Sequence, residues 1–401
     1  MLFSSARPRM AAIMGLFALA FSVSAQTARP TLRDAVDAAW NLSPQARALA
    51  NRQAELDARA RAAGSFLAGA PTVSLAHKAG RGAASGAQET EAEISAPLWQ
   101  PRLRSATASQ VEADRAALSA QIASARLKLA AEARELAAAA ALAESQLELA
   151  GRKVGEAQAL AADTERRVRA GESARVDALR AGSALREAES ARAGAEGALA
   201  RALANWRALT GLAQLALLDE AQSPDGAHPL VQAAEAQARA ARSRLEVAEA
   251  DRRDPMEVGV GLIRERPGGG APTESAIRLS LRVPLGGDIR NGARIAAARA
   301  ELDAAEAELD ASRRLATSER EAAIAELEAA RRSERLALER ERFAREAQEL
   351  IAKSHRLGET DLPTRLRADA ERFEAELARA RAAIEARRAL SKLNQANGSM
   401  P

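Results

Sequence analysis

Two stretches of this chain are so long and so free of helix breakers that each must form a single extended helix. Residues 102–168 and 292–356 contain no proline, and Ala, Leu, Glu and Arg dominate them. At 1.5 Å per residue, each helix would be roughly 100 Å long. Apolar residues recur every seven positions, as in Leu336, Phe343, Leu350 and Leu357. This spacing is typical of left-handed coiled coils, so we expect an elongated helical bundle.

The chain is a duplicated unit. Gly171-Glu172 and Gly358-Glu359 lie 187 positions apart, and Pro97 and Pro284 are related by the same offset. Each unit has the order helix, strand pair, long helix, tight turn, helix. We therefore divide the chain into a leader (1–25), a first repeat (26–211), a linker (212–228), a second repeat (229–396) and a tail (397–401).

Each repeat also contains two strand-like segments in which apolar and polar residues alternate. These segments are residues 71–78, 89–98, 255–264 and 273–285. Glu91, Glu93, Arg278 and Arg282 fall on the polar face of their segments. In a soluble sheet the apolar face would cover a core, whereas in a membrane barrel it would face lipid and the polar face would line water.

The rest of the chain favours the membrane barrel, because long helices leave nothing to cover a four-stranded sheet. We therefore expect a mainly α-helical protein with a membrane β-barrel, whose lumen is lined by Glu91, Glu93, Arg278 and Arg282. Four strands cannot close a barrel, and open edges are costly in lipid, so the barrel requires an oligomer.

The first residues predict export. Arg7 and Arg9 precede an apolar run over residues 11–23, and Val23-Ser24-Ala25 provides the small residues of a cleavage site. We read residues 1–25 as a signal peptide, too short in its apolar run to span a bilayer. The chain contains no cysteine, which excludes disulfides and a lipidated cysteine after the signal.

The composition does not predict an active site. The three histidines are far apart in sequence, and the glycine run Gly268-Gly269-Gly270 is better read as a hairpin tip than as a phosphate loop. We expect no catalytic residue, no metal site and no cofactor. The 58 basic and 54 acidic residues are interleaved, which is typical of solvated helix faces and argues against nucleic-acid binding.

The duplication, the strand-closing Pro97-Leu98 and Pro284-Leu285, and the Gly-Glu turns together resemble the TolC-like outer-membrane efflux family over residues 30–396. The resemblance implies a homotrimer with a twelve-stranded β-barrel and an α-helical barrel that extends into the periplasm. It further implies a channel subunit of a tripartite efflux system, with a periplasmic membrane-fusion adaptor and an RND-type inner-membrane pump as partners. The chain looks most like members that serve pumps for heavy-metal cations.

The resemblance also assigns roles to residues. Gly171, Glu172, Gly358 and Glu359 would form the tip that docks onto the adaptor. Asp177 stands at the sixth position after its turn glycine, where the family often has aspartate, but the second repeat has Thr364 there. The tunnel mouth would then involve Asp177, Asp361 and Arg365. The alternative reading is a periplasmic coiled-coil adaptor or scaffold without a pore.

Overall fold

A computed structural model describes residues 29–84, 86–285 and 288–401. The predicted signal peptide (1–25) lies outside the described residues. The helices of the first half are α1 (Leu32–Leu42), α2 (Pro44–Gly64), α3 (Pro101–Arg169) and α4 (Arg175–Thr210). Those of the second half are α5 (Pro229–Ala250), α6 (Asp288–Arg356) and α7 (Leu362–Ala396). The strands are β1 (Thr72–Ala79), β2 (Gln88–Leu98), β3 (Met256–Arg266) and β4 (Glu274–Arg282).

The four strands form one antiparallel sheet in the order β1-β2-β3-β4. The two hairpins belong to different repeats, and β2 joins β3 in a register that places Glu93 opposite Gly261. A mainly helical chain with a small antiparallel sheet, as the alternation and the helical stretches predicted, is thus confirmed.

The long helices α3 and α6 contain 69 residues each. Each turns sharply at its far end, so that α4 packs back along α3 and α7 packs back along α6. Helix α5 lies against both α3 and α6, while α1 and α2 pack on α3. The sheet and the turns therefore lie at opposite ends of a rod of roughly 100 Å.

Helix starts follow ordinary capping chemistry. Thr31 and Asp34 form a capping box at the start of α1. Ser43 caps α2, with Pro44 in the first helical turn. At α5, His228 Nδ1 accepts the backbone N–H of Leu230. These local signals explain why the chain breaks into these helices and not into one continuous coil.

The linker and the C-terminal residues pack on the middle of the rod. Trp206 of α4 is fully buried, and its indole N–H donates to the carbonyl of Gln214 at 2.9 Å. The buried guanidinium of Arg134 on α3 donates to Glu220 at 2.7 and 2.9 Å and to Gln395 at 2.6 Å. One buried cation thus ties the linker and the end of α7 to the first long helix.

The structure differs from the sequence prediction at several boundaries. Helix α1 was missed, although Thr31 and Asp34 are a recognisable capping pair. Strand β4 ends at Arg282 and not at residue 285, because Pro284 has no N–H to donate to a ladder. Strand β3 continues to Arg266, directly before Pro267.

Candidate functional site: the helix turns and the two faces of the sheet

Helices α3 and α6 end in the same kind of turn. Gly171 and Gly358 have φ of +80° and +82°, a conformation that glycine adopts without steric cost. The backbone N–H of Glu172 and of Glu359 donates to the carbonyl five positions earlier, at 2.8 and 3.0 Å. A Cβ on either glycine would meet no atom within 4 Å, so both turns border open space.

The two turn glutamates differ in their surroundings. Ser354 Oγ lies 2.6 Å from Thr360 Oγ1 and 3.4 Å from Glu359 Oε2. Glu172 and Glu359 are both exposed, but Glu359 also accepts a hydrogen bond from Ser354 of its own turn. The residues proposed as a docking tip are all present at the far end of the rod, and the second turn is the more internally bonded of the two.

The aspartates proposed for the tunnel mouth also have local roles at helix starts. Asp361 caps α7 and accepts the backbone N–H of Thr364 at 3.1 Å. Hydrogen bonds from the Thr364 side chain and backbone hold the pKa of Asp361 below its ordinary value. Asp177 lies in the first turn of α4, 4.0 Å from Arg180. The two repeats therefore use an aspartate at different positions of the same turn.

Arg365, the third residue proposed for the mouth, links α7 to α6. Its Nε donates to Asp369 Oδ2 at 3.0 Å, and Asp369 Oδ1 accepts from Gln348 of α6 at 2.7 Å. The Arg365 side chain is largely buried. Asp369 therefore holds Arg365 within the α6–α7 hairpin, because the same carboxylate also accepts a hydrogen bond from α6.

His355 marks a convergence of four helices that the sequence did not predict. Burial lowers the pKa of His355, as do the positive charges of Arg167 on α3 and Arg365 on α7. The carboxylates of Asp163 and Asp177 act in the opposite direction. Asp177 of α4 and Arg365 of α7 thus act in opposite directions on the pKa of His355, which belongs to neither of their helices.

The polar face of the sheet is covered by bonds that cross strands. Arg278 of β4 bonds Glu91 of β2, and Ser280 bonds Glu93. A Cβ on Gly259 of β3 would clash with Glu93 Oε1. The missing side chain on the middle strand thus allows β2 carboxylates to reach β4. This places Glu91, Glu93 and Arg278 on one face, and Arg282 joins them by bonding Glu257 at 3.2 Å.

The opposite face of the same sheet is apolar and exposed. Leu279 is 80% exposed and Val73 is 77% exposed, whereas the Glu91 side chain on the polar face is only 19% exposed. The other large exposed residues on this face are Leu75, Ile94, Val258, Val260, Leu262, Ile277 and Leu281. On the polar face, Lys78 and Arg282 are also exposed, so neither face of the sheet is covered by the described part of one chain. The sheet thus presents a continuous apolar face that nothing in the chain covers.

A second exposed apolar surface runs along the half of α6 nearer the turn at Gly358. Leu336, Phe343, Leu350 and Leu357 follow one another at intervals of seven and are between 63% and 67% exposed. The predicted heptad seam is therefore not covered within the described part of one chain. We call these four residues the α6 stripe.

Two further findings concern metal binding and membrane-spanning helices. Within the described ranges, no cluster of three or more His, Cys, Asp or Glu side chains is arranged to hold a metal ion. Among the helices described, none combines the length and apolar character needed to cross a bilayer.

Comparison with solved structures identifies the fold. The chain superposes on the outer membrane protein VceC of Vibrio cholerae with a TM-score of 0.72 and 16% identity, covering 92% of this chain and 96% of that chain. It matches the CmeC outer membrane channel of Campylobacter jejuni with a TM-score of 0.72 and 13% identity, covering 98% and 94%. For the MtrE outer membrane channel of Neisseria gonorrhoeae the values are 0.71, 18%, 93% and 90%.

No protein-family model and no curated protein sequence matched the chain. At these identities the structural likeness shows the fold alone. It is the fold of a single chain of outer membrane channels, in agreement with the mainly helical chain and small antiparallel sheet that the sequence predicted.

Proposed function

We propose that this chain is the outer-membrane subunit of a tripartite efflux system, a passive duct and not an enzyme. Its helical rod would extend into the periplasm, and its sheet would lie in the outer membrane. The fold shared with outer membrane channels supports this function. So does the predicted signal peptide, while the absence of cysteine argues for a chain held by its barrel and not by a lipid.

The observation that carries the proposal is the uncovered apolar face of the sheet. A leucine such as Leu279, 80% exposed, forgoes about 1.5–3 kcal/mol of hydrophobic stabilisation that burial would provide. Repeated across the face, this cost is removed when the face meets lipid. The bridged polar face of Glu91, Glu93 and Arg278 would then line water, as in other membrane barrels.

A homotrimer would complete the molecule. The sheet ends at β1 and β4, and open strand edges in lipid leave backbone groups unpaired at several kcal/mol each. Three chains would supply twelve strands and pair every edge. The same assembly would place the α6 stripe against a neighbouring chain, where a heptad seam finds its partner.

The partners would meet the far end of the rod. The turns at Gly171 and Gly358 border open space, and the helix ends there are the surface farthest from the membrane. We assign them as the docking tip for a periplasmic adaptor fed by an inner-membrane RND-type pump. Heavy-metal cations are the cargo that the sequence resemblance suggests, and a direct transport assay with such ions would test that part separately.

The orientation of the sheet can be tested by cysteine labelling, because the chain has no cysteine of its own. In intact outer membranes, Glu93→Cys should react with a polar, membrane-impermeant thiol reagent, since its side chain would face the water-filled lumen. Leu279→Cys should resist that reagent and react only with a lipid-soluble one. The reverse pattern would mean that the charged face is turned outwards, and recovery of the protein as a soluble periplasmic species would favour an adaptor or scaffold.

A further inference from the structure

The apolar face of the sheet ends in two arginines. Arg264 and Arg266 follow Val260 and Leu262 along β3 at alternate positions, so all four side chains lie on the same face. Both arginines are exposed. Neither forms a hydrogen bond or an ion pair with any residue that the structure describes. Two free guanidinium groups therefore stand directly beside an exposed apolar surface.

No carboxylate accompanies these cations on their face of the sheet. Every glutamate of the four strands, as far as they are described, alternates onto the opposite, polar face. The register neighbours of Arg264 are Thr90 and Ser275, and Thr90 Oγ1 lies 2.9 Å from His77 Nδ1. This end of the apolar face is thus polar and positively charged, with no acid beside it to neutralise the charge.

The two arginines lie at the end of the sheet that is farthest from the helical rod. Strand β3 begins at Met256, shortly after α5, and ends at Arg266, where the chain turns back through a glycine-rich hairpin. At the rod end of the same face, Met256 stands opposite Leu98, and neither residue is charged. The apolar face therefore carries its positive charge at the hairpin end alone.

The distance from Met256 to Arg264 is close to the thickness of the apolar part of a membrane. The eight residues between these positions span roughly 27 Å along the strand, at about 3.4 Å per residue. A tilt of about 40° reduces this to roughly 20 Å, against an apolar band of about 25 Å in membrane barrels. With the apolar face in hydrocarbon, Arg264 and Arg266 would lie at its outer boundary, at the depth of the lipid head groups.

We propose that Arg264 and Arg266 bind the phosphate groups of a lipid in the outer leaflet, an inference that rests on the proposed outer-membrane function. A guanidinium group donates paired hydrogen bonds to phosphate oxygens. Alternate residues of a strand lie roughly 7 Å apart, so both side chains can reach the same head group. The partner is a phosphorylated, anionic lipid, because the cations continue an apolar surface on which acyl chains can lie.

The bound lipid would fix the depth of the sheet in the membrane. Arginine side chains near a membrane boundary extend their charged ends to the head groups while their aliphatic parts stay on apolar surface. A sheet anchored in this way resists sliding further into the bilayer, since that movement would take both guanidinium groups into hydrocarbon. In a trimer the site would occur three times, once on each copy of β3.

The test is the binding of lipid A, the phosphorylated anchor of lipopolysaccharide, to the purified full-length assembly in detergent, followed by native mass spectrometry. The wild-type protein should bind the same lipid without its phosphates about tenfold more weakly, because the charge-assisted hydrogen bonds are lost. The variant R264Q/R266Q should lose a similar factor for lipid A and should no longer distinguish the two lipids.

The matched control is R186Q/R192Q, which removes two positive charges from exposed positions on α4 and should bind lipid A as the wild type does. Equal affinity of the wild-type protein for the two lipids would overturn the inference and leave the channel intact. The same holds for wild-type affinity in R264Q/R266Q.

Inorganic phosphate distinguishes a lipid site from a plain anion site. At a concentration equal to that of lipid A it should not displace the lipid, because it has no acyl chains. Full displacement would assign the two arginines to a soluble anion and overturn the lipid as their partner. Recovery of the protein only from the soluble periplasmic fraction would instead contradict the proposed function, and the lipid site with it.

Discussion

At the scale of single residues, the most constrained charges lie where the two repeats touch. Glu376 of α7 is 4% exposed, and its Oε1 accepts from Arg372 at 2.7 Å. Arg152 of α3 and Arg345 of α6 lie 3.4 and 3.8 Å from the same carboxylate. A buried charge persists only if it is paired, so this carboxylate holds three helices in a fixed relation.

Replacing Glu376 by Gln should destabilise the contact between the two hairpins. The change keeps the shape but leaves Arg372 and its neighbours without their shared anion, at a cost of about 3 kcal/mol. The thermal unfolding midpoint of the purified protein, followed by circular dichroism, should fall clearly.

The control for this variant is Glu55→Gln in the exposed pair that Glu55 forms with Arg59 at 2.6 Å. Such a pair contributes about 0.3–0.5 kcal/mol, so its midpoint should barely move. Equal midpoints for both variants would show that the buried carboxylate is not a structural tie.

At the scale of helices and strands, much of the architecture could be predicted because local signals agree with the final fold. The long helices followed from the absence of proline, the turns from Gly171 and Gly358, and the strands from alternation. Helix α1 was not predicted. Its only local signal is the capping box at Thr31, which lies close to the predicted leader. The meeting of four helices at His355 could not be predicted, because it depends on how α3, α4, α6 and α7 pack and not on any spacing within one of them.

A bulky side chain in the turn after α6 should leave the protein assembled but prevent the adaptor from docking. Because a Cβ at Gly358 meets nothing within 4 Å, a bulky side chain such as that of Gly358→Arg would project outwards and obstruct docking. The positive φ adds a local strain of about 1–3 kcal/mol. We expect efflux to be abolished while the assembled protein remains in the membrane.

Gly358→Asn is the control at this position, because asparagine accepts the left-handed conformation with a small side chain. It should retain most of the efflux activity. If Gly358→Arg still supports efflux, or if it dissociates the assembly, the turn does not act as a docking tip.

At the scale of the whole molecule, one chain exposes two apolar surfaces that a single copy cannot cover. The apolar face of the sheet is large and continuous, and the α6 stripe reaches nearly to the far turns. Lipid would cover the first surface and another chain the second. The sequence predicted this incompleteness from the number of strands, since four strands leave two open edges.

The stoichiometry of the assembly tests the central claim most directly. Native mass spectrometry of the protein, extracted in mild detergent from isolated outer membranes, should show a species of three mature chains. That number is expected because three copies supply twelve strands and pair both edges of every sheet. A monomer, or a species recovered only from the soluble periplasmic fraction, would contradict a membrane channel built from this chain.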